Sequence, residues 1–301
     1  MPHVLITGAT GFLGRTVTGL FLKDGWTVSA LSRDPVAARA KLPSRVGTLA
    51  LEDLDSDRTR RFDTVVHLAG ESVAGGLWTP KRKQKLMDSR VKLTRRLMDA
   101  LARLETPPAA FVAASGLGYY GARGADVVRA SDLPGNDFLG QMAAAWERES
   151  FTAEKFGART VVIRMGMVLG ADGGPLPAML LPFRFGLGAV LGSGTQYWPW
   201  IHRDDAAALF VRAATDAALS GPLHGAAGAP LTNREFSKEL VVALRRPLFL
   251  RVPAWALRLA TGELADLFLH GQRVQPDARF EFRHNTLSSA LAASLRAVPS
   301  A

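Results

Sequence analysis

The sequence HVLITGATGFLG, residues 3–14, sets the fold of this chain. Its first five residues form a short apolar run typical of a β-strand, and Gly8, Gly11 and Gly14 follow at three-residue spacing before an apolar pattern of helical period. Gly8 permits a tight turn, Gly11 leaves room for a phosphate, and Gly14 lets strand and helix pack closely. The free N–H groups at the helix start suit a pyrophosphate. The stretch therefore predicts a dinucleotide site, with a purely structural turn as the alternative.

The length and composition define a broad class. A chain of 301 residues is long enough for one large α/β domain or for a nucleotide domain with a smaller lobe. Hydrophobic residues make up 48% of it, but no apolar run reaches the roughly 18 residues that span a bilayer, so we expect a soluble protein without a membrane partner. The absence of cysteine excludes disulfides, thiolate nucleophiles and cysteine-ligated metals. Because the first strand begins at once, we expect no signal peptide and a cytoplasmic location.

The net charge of +10 favours ligands that carry phosphate, or nucleic acid. The only dense basic cluster is Lys81, Arg82, Lys83 and Lys85, at the start of a long helical pattern. An arginine-rich solvated surface accounts for such an excess more simply, so we do not expect nucleic-acid binding.

The end of the second predicted strand, Thr27–Leu31, is where the adenine ribose of a dinucleotide lies. An acid at this place would accept the 2′-OH of NAD. The residues present are Ser32 and Arg33, whose hydroxyl and guanidinium suit the 2′-phosphate of NADP. We therefore predict NADP(H) rather than NAD; the alternative is that Arg33 is an ordinary loop arginine.

The third predicted strand, Gly47–Leu51, is followed by Asp53 and Leu54, which we expect to flank the adenine. A helical stretch that begins at Pro35 separates it from the second strand.

Thr64–Leu68 predicts a central parallel strand, since it is apolar on both faces. Ala69 and Gly70 follow it, and small residues at the carboxyl end of a strand allow a cofactor to approach the backbone. Glu71 is either a hydrogen-bonding partner of a ribose or substrate, or an exposed loop acid.

An amphipathic pattern over residues 81–104 predicts one long helix, and residues 109–114 predict a fifth strand before the motif SGLGYYG, 115–121. The expected buried face of the helix consists of Leu86, Val91, Leu93, Leu97 and Leu101.

Together with stretches farther along, these motifs resemble the extended short-chain dehydrogenase/reductase superfamily, which contains nucleotide-sugar epimerases and dehydratases. More narrowly, the chain resembles the atypical class 39U, epimerase-like proteins sometimes labelled cell-division-inhibitor-like. The matching stretches are ITGATGFLG (6–14), LSR (31–33), HLAGE (67–71), SGLGYYG (115–121), DFL (137–139), WE (146–147), IRMGMVLG (163–170), GLGAVLGSGTQYWPWIHRDD (186–205), TNREF (232–236), and RVPAWALRL, GE and GQRVQP within 251–276.

The resemblance implies an α/β fold, a Rossmann-type doubly wound parallel sheet with a smaller C-terminal α/β substrate lobe. It places an NADP-binding domain in residues 1–170, joined by a strand and a helix from 200–230, and the substrate lobe and C-terminal epimerase-family domain in 171–301. The predicted cofactor contacts are Gly8, Thr10, Gly11, Phe12, Leu13, Gly14, Ser32, Arg33, Leu68, Ala69, Gly70, Glu71, Ser115, Arg164 and Val168.

The resemblance also implies a catalytic tyrosine, a lysine four residues later that lowers the tyrosine pKa, and a serine that holds the substrate oxygen. With Glu147 as the glutamate that follows this pair, the tyrosine and lysine positions fall on Leu139 and Ala143. A slip of one residue gives Phe138 and Met142. Neither register supplies the pair.

The serine position falls on Gly116, one residue after Ser115, so the standard triad is absent. Tyr119 or Tyr120, with Ser115, is the remaining candidate for a catalytic proton donor; the alternative is that Tyr120 packs in its loop. Two functions stay open. One is an NADP(H)-dependent oxidoreductase or epimerase-like enzyme that transfers a hydride on an unidentified small substrate. The other is a non-catalytic NADP(H)-binding sensor or interaction protein. The oligomeric state does not follow from the sequence.

Farther on, aromatic residues surround the glycine-rich run 186–194, and they either wall a substrate pocket or pack between lobes. His202, Asp204 and Asp205 could form a metal or acid/base cluster. A helix start with Asp204 or Asp205 as its N-cap is the interpretation we favour, so no metal is predicted. The aromatic residues are Phe183, Tyr197, Trp198 and Trp200.

The C-terminal part carries three further local signals. Thr232 and Glu235 have the spacing of a capping box. Phe280 and Phe282 alternate as in a short strand, and residues 286–295 predict a last helix.

Overall fold

Parallel strands and flanking helices make up the computed structural model, which describes residues 1–296. The strands are β1 (His3–Thr7), β2 (Thr27–Leu31), β3 (Gly47–Leu49), β4 (Thr64–His67), β5 (Ala110–Gly116), β6 (Val127–Val128), β7 (Arg159–Met165), β8 (Met167–Leu169), β9 (Ala189–Leu191), β10 (Trp200–His202), β11 (Gly221–Gly225), β12 (Leu250–Val252) and β13 (Arg273–Val274). The helices are α1 (Phe12–Lys23), α2 (Pro35–Arg39), α3 (Glu52–Ser56), α4 (Pro80–Met87), α5 (Leu93–Ala102), α6 (Phe138–Ser150), α7 (Leu176–Arg184), α8 (Arg203–Thr215), α9 (Asn233–Leu244), α10 (Ala254–Thr261), α11 (Asp266–Leu269) and α12 (Leu287–Arg296). Within this part of the chain, no helix is both long and apolar enough to cross a membrane.

Seven strands form one parallel sheet in the order β3–β2–β1–β4–β5–β7–β11. From β1 the chain runs outward to β2 and β3, then returns to the other side of β1 for β4 and the rest. This order confirms the predicted Rossmann-type doubly wound fold. It opens a crevice between the carboxyl ends of β1 and β4, where the strand order reverses and where ligands bind in such sheets. The division at residue 170 stays a prediction, and residues 297–301 lie outside the described part.

Both faces of the sheet are covered, because alternate residues of each central strand point to opposite sides. Val4 and Ile6 pack with α1 and α8 on one face, and Leu5 packs with α5 on the other. All three side chains are fully buried. Each such burial contributes roughly 1.5–3 kcal/mol, which holds the strand ends in fixed register beneath the crevice.

The remaining strands form small parallel pairs, β8 with β10, β9 with β12, and β6 with β13. The glycine-rich run 186–194 therefore contains a strand, β9. Phe183, Trp198 and Trp200 are buried in the core of the C-terminal lobe with Phe236, which favours the packing interpretation of these aromatic residues.

The predicted helix over residues 81–104 is interrupted by a π-helical turn at Asp88–Lys92, between α4 and α5. A π turn adds a residue to the helical repeat and so rotates the side chains that follow. Arg90 and Thr94 consequently point inward and are buried, whereas Val91 and Leu93 are only partly buried. The predicted buried face was wrong at these positions.

No strand forms at Phe280 and Phe282 in the described chain; their rings stack with centroids 6.3 Å apart. The next two backbone N–H groups, of Arg283 and His284, donate to the carboxylate of Asp205 at 2.8 and 2.9 Å. The segment that contains Phe280 and Phe282 is therefore irregular and is held to α8 by these hydrogen bonds. The predicted strand was wrong.

Candidate functional site

The glycine turn joins β1 to α1 with very little space. Gly8 has a φ of +71°, and a Cβ on Gly14 would lie 2.1 Å from the carbonyl oxygen of Gly8. The N-cap of α1 is Gly11, which provides no side-chain cap, and the first turn contains no acid. The first N–H groups and the positive dipole end of α1 are therefore left without a side-chain cap and without an acid in their own turn.

A buried histidine fixes the loop opposite this turn. His67 is fully buried; its Nδ1 lies 2.7 Å from the Thr7 hydroxyl and its Nε2 lies 2.9 Å from the Thr94 hydroxyl. The Thr94 hydroxyl donates to a backbone carbonyl, so Nε2 carries the proton and Nδ1 accepts from Thr7. The Thr7 oxygen in turn accepts from the N–H groups of Leu68 and Ala69 at 3.2 and 3.1 Å. Burial lowers the pKa of His67 to about 4, so this network is neutral at pH 7.

At the end of β2, the Ser32 hydroxyl donates to the carbonyl of Asp34, and the Asp34 carboxylate caps α2 at the N–H of Ala37. Arg33 is exposed, and its guanidinium forms no hydrogen bond or ion pair within residues 1–296. Its charge is therefore available to a ligand.

Asp53 and Leu54 follow β3, and their contact with the adenine stays a prediction. The Leu54 side chain is fully buried in the core beside α5. The Asp53 carboxylate accepts from the N–H of Ala50 at 2.7 Å, and β3 ends at Leu49, two residues earlier than predicted.

Glu71 and the basic cluster pair with each other. Arg82 donates to the Glu71 carboxylate at 2.8 Å, and Lys85 lies 3.5 Å from it. The hydrogen bond from Arg82 lowers the pKa of Glu71. Lys83 pairs with Glu263. Much of the charge of this cluster is therefore neutralised within the chain.

Ser115 and Arg164 lie side by side on β5 and β7 and share one partner, Glu147 on α6. The Ser115 hydroxyl donates to Glu147 Oε1 at 2.6 Å. Arg164 donates to Oε1 from Nε at 2.9 Å and to Oε2 from Nη2 at 2.7 Å. All three side chains are buried. Burial opposes the charge of Arg164, but Glu147 outweighs it and raises the Arg164 pKa above its ordinary value.

The two candidate tyrosines differ in availability. The Tyr120 hydroxyl is buried; it accepts from Arg164 Nη1 at 2.6 Å and lies 2.6 Å from Nε2 of His224. Burial raises the pKa of Tyr120 to about 12 and lowers that of His224 to about 4, so the phenol donates to a neutral imidazole. Tyr119 is partly exposed, its ring lies under the Arg164 guanidinium at 3.5 Å, and its hydroxyl has no hydrogen-bond partner in the described chain.

Apolar side chains occupy the positions expected for the catalytic pair. Leu139 packs against Gly118, where an added Cβ would meet the Leu139 Cβ at 3.2 Å, and Ala143 is buried. Phe138 and Met142 belong to an apolar cluster with Trp78.

The ring of Phe12 connects the glycine turn to the C-terminal lobe. A Cβ on Gly170 or on Gly173 would lie 2.6 Å from this ring, and one on Gly174 would lie 2.9 Å from it. Leu13 likewise packs against both the sheet core and the lobe core. The predicted contacts of this turn, and Val168 on β8, thus stand at the junction of sheet and lobe; their roles toward a cofactor stay predictions.

His202 is the N-cap of α8, since its Nδ1 accepts from the N–H of Asp204 at 3.2 Å. Asp204 and Asp205 lie in the first turn instead, so the prediction that one of them is the cap was wrong. Burial lowers the pKa of His202. No group of three or more metal-ligating side chains occurs among the residues described. The predicted capping box of Thr232 and Glu235 is confirmed at α9.

Sequence reasoning did not single out the buried residues Arg90 and His224. The spacing of Arg90 could have indicated its burial. It lies four positions after Leu86 and four before Thr94, and residues at this spacing share one face of a helix. His224 has no such signal, since nothing in Pro222–Gly225 indicates a partner a hundred residues away.

The order of the sheet and the glycine turn at its reversal point define the class: a Rossmann-type doubly wound protein. The chain belongs to the NAD dependent epimerase/dehydratase family, whose model matches residues 4–222, and a domain of unknown function, DUF1731, matches residues 252–294. It is 34% identical to the epimerase family protein YfhF of Bacillus subtilis over 96% of both chains. It is also 34% identical to the human epimerase family protein SDR39U1, over 91% of this chain and 92% of that one. The predicted membership of class 39U is thereby confirmed.

Two solved structures share the fold of this chain. The human epimerase family protein SDR39U1 (isoform 2), crystallised with NADPH, superposes with a TM-score of 0.88 at 31% identity and covers 98% of this chain and 100% of that one. A UDP-glucose 4-epimerase from Thermotoga maritima shares the fold, with a TM-score of 0.76 at 15% identity over 98% of this chain and 97% of its own.

Proposed function

We propose that this chain binds NADP(H) across the crevice between β1 and β4 and uses it as an epimerase-like oxidoreductase on a small molecule. The observation that carries the proposal is the start of α1, where Gly11 provides no side-chain cap and the first turn contains no acid. Such a helix end suits a pyrophosphate. The presence of NADPH in the human relative supports the same ligand.

The preference for the phosphorylated cofactor depends on Arg33. Its exposed guanidinium has no partner in residues 1–296 and follows β2, the strand end at which an adenine ribose lies in this fold. A charge-assisted hydrogen bond to a 2′-phosphate would give it one. When bound, the dinucleotide supplies a hydride donor or acceptor.

The test compares NADPH and NADH by titration calorimetry. We expect wild type to bind NADPH more tightly, and Arg33→Ala to weaken NADPH about 10- to 100-fold, as for loss of one charge-assisted hydrogen bond, while NADH binding is unchanged. Arg39→Ala, which removes another exposed arginine nearby on α2, is the control. No heat with NADPH, or an Arg33→Ala variant that binds it as wild type does, would contradict the proposal.

For turnover, Tyr119 is the proton donor that the geometry favours, because the hydroxyls of Ser115 and Tyr120 are engaged by Glu147 and by Arg164 and His224. These same hydrogen bonds favour a second candidate, a protein that binds NADP(H) without catalysis. NADPH oxidation measured with sugar nucleotides, aldehydes, ketones and quinones separates the two. Activity that Tyr119→Phe abolishes and Tyr120→Phe retains supports the enzyme; silence on every class alongside tight NADPH binding supports the sensor.

A further inference from the structure

Arg90 is a buried cation next to the crevice. It lies in the π-helical turn, is only 8% exposed, and its guanidinium stands beside Gly70 at the end of β4. A Cβ on Gly70 would lie 3.4 Å from the Arg90 Cζ. Gly70 itself is exposed, so the guanidinium lies directly behind the crevice wall. π turns of this kind are frequent at functional sites.

The charge of Arg90 is poorly compensated. Its Nη2 donates to the carbonyl of Glu71 at 2.9 Å, whereas Nη1 reaches the Leu86 carbonyl and the Ser89 hydroxyl only at 3.4 and 3.3 Å. Within residues 1–296, no carboxylate lies within 4 Å of it, although the equally buried Arg164 holds Glu147 with two hydrogen bonds. The nearest opposing charge is the Glu71 carboxylate, which attracts Arg90 from beyond 4 Å but pairs directly with Arg82 and Lys85. A buried charge that is compensated only at this distance is costly, which favours a further partner at the guanidinium.

The position of Arg90 also relates to the missing lysine. Its Cζ lies 5.2 Å from the ring centroid of Trp146, three residues after Ala143 on the same face of α6. Ala143, or Met142 in the register shifted by one residue, stands where the resemblance places the lysine. Burial lowers the pKa of Arg90 to about 10, so the side chain keeps its charge at neutral pH.

We propose that Arg90 binds an oxygen of the nicotinamide half of NADP(H), either the second phosphate or the second ribose, and supplies the cation that neither Ala143 nor Met142 provides. The inference rests on the proposed function and assigns a binding residue within that site. Arg82 is not an equivalent candidate, because Glu71 already pairs with it.

The experiment measures three ligands: NADPH, 2′-phospho-ADP, which keeps the second phosphate but lacks the second ribose, and 2′,5′-ADP, which lacks both. We expect Arg90→Met to weaken NADPH about 10- to 100-fold and to leave 2′,5′-ADP within twofold. Weakening of 2′-phospho-ADP assigns the phosphate, and its retention assigns the ribose. Arg90→Lys should fall between wild type and Arg90→Met.

The control is Arg95→Met, which removes an exposed arginine of α5 and its ion pair with Glu149. Retained binding of 2′,5′-ADP shows that each variant is folded. Unchanged NADPH affinity in Arg90→Met, or equal weakening of all three ligands, would overturn the assignment. A wild-type protein that binds none of the three would overturn the proposed function as well, whereas a defect confined to Arg33→Ala would leave that function standing without Arg90.

Discussion

At the scale of single residues, two features determine the site. Glycines leave room where side chains would clash, and some polar side chains already form hydrogen bonds within the chain. Gly14 is required because the turn that follows β1 touches α1 there, as the glycine spacing predicted. The sequence predicts both Ser115 and Arg164 as cofactor contacts, and the structure brings them side by side. Their shared partner Glu147 could not be paired with them from the sequence, because a contact between β5, β7 and α6 depends on tertiary packing rather than on local pattern.

Two glycines of α1 give a matched test of this packing. Gly14→Ala places a methyl group 2.1 Å from a backbone oxygen, so we expect a loss of about 3 kcal/mol or more in the free energy of unfolding, together with loss of NADPH binding. Gly19→Ala meets nothing within 4 Å and should stabilise the helix by about 0.5–1 kcal/mol. Urea denaturation of the two variants measures both values. Equal stability of the two variants would contradict the role given to Gly14.

At the scale of elements, strands and helix starts were predictable where local chemistry decides them. The capping box at Thr232 is an example, because its two side chains serve backbone groups within one turn. The π turn at Asp88–Lys92 was not, since an apolar repeat of helical period does not reveal one added residue. The strand expected at Phe280 failed for a similar reason: its alternation was correct, but a carboxylate on α8 takes the neighbouring N–H groups.

That carboxylate gives a prediction for α8. Asp205→Ala leaves the buried N–H group of His284 and the partly buried N–H group of Arg283 without their acceptor, so we expect a loss of about 2–4 kcal/mol in the free energy of unfolding. Asp204→Ala, on the same turn but 45% exposed, should cost less than about 1 kcal/mol. Thermal and urea unfolding of both variants provide the comparison, and a similar loss in both would show that Asp205 acts only through the helix dipole.

At the scale of the whole molecule, the sheet order, the two covered faces and the family were accessible from sequence, because each strand and turn carries its own signal. The core of the C-terminal lobe was less so, since Trp198 and Trp200 suit a pocket wall as well as an interior. Two buried histidines join distant elements: His67 contacts α5 and His224 contacts Tyr120. Both make the free energy of unfolding depend on pH.

The direction of this pH dependence follows from the lowered pKa values. Burial sets the pKa of His67 and of His224 at about 4, below the 6.5 of an ordinary histidine, so the unfolded chain binds more protons between these limits. Stability is complete above pH 6.5 and falls as the pH drops toward 4, by roughly 3 kcal/mol for each histidine. Urea denaturation between pH 5 and 7.5 measures the slope. His224→Gln should reduce this slope. A flat profile in wild type would be inconsistent with neutral buried imidazoles.

The packing of the Phe12 ring limits which substitutions this sequence can accept during evolution. Its ring fills the space that three glycines leave open some 160 positions later. A bulkier residue at Gly170 or Gly173 fits only if position 12 shrinks, and a smaller residue at 12 leaves a hole that only the later loop can fill. We therefore expect the stretch around Phe12 and the stretch at 170–174 to change together. Neither stretch can be replaced by that of a relative unless the other is replaced as well.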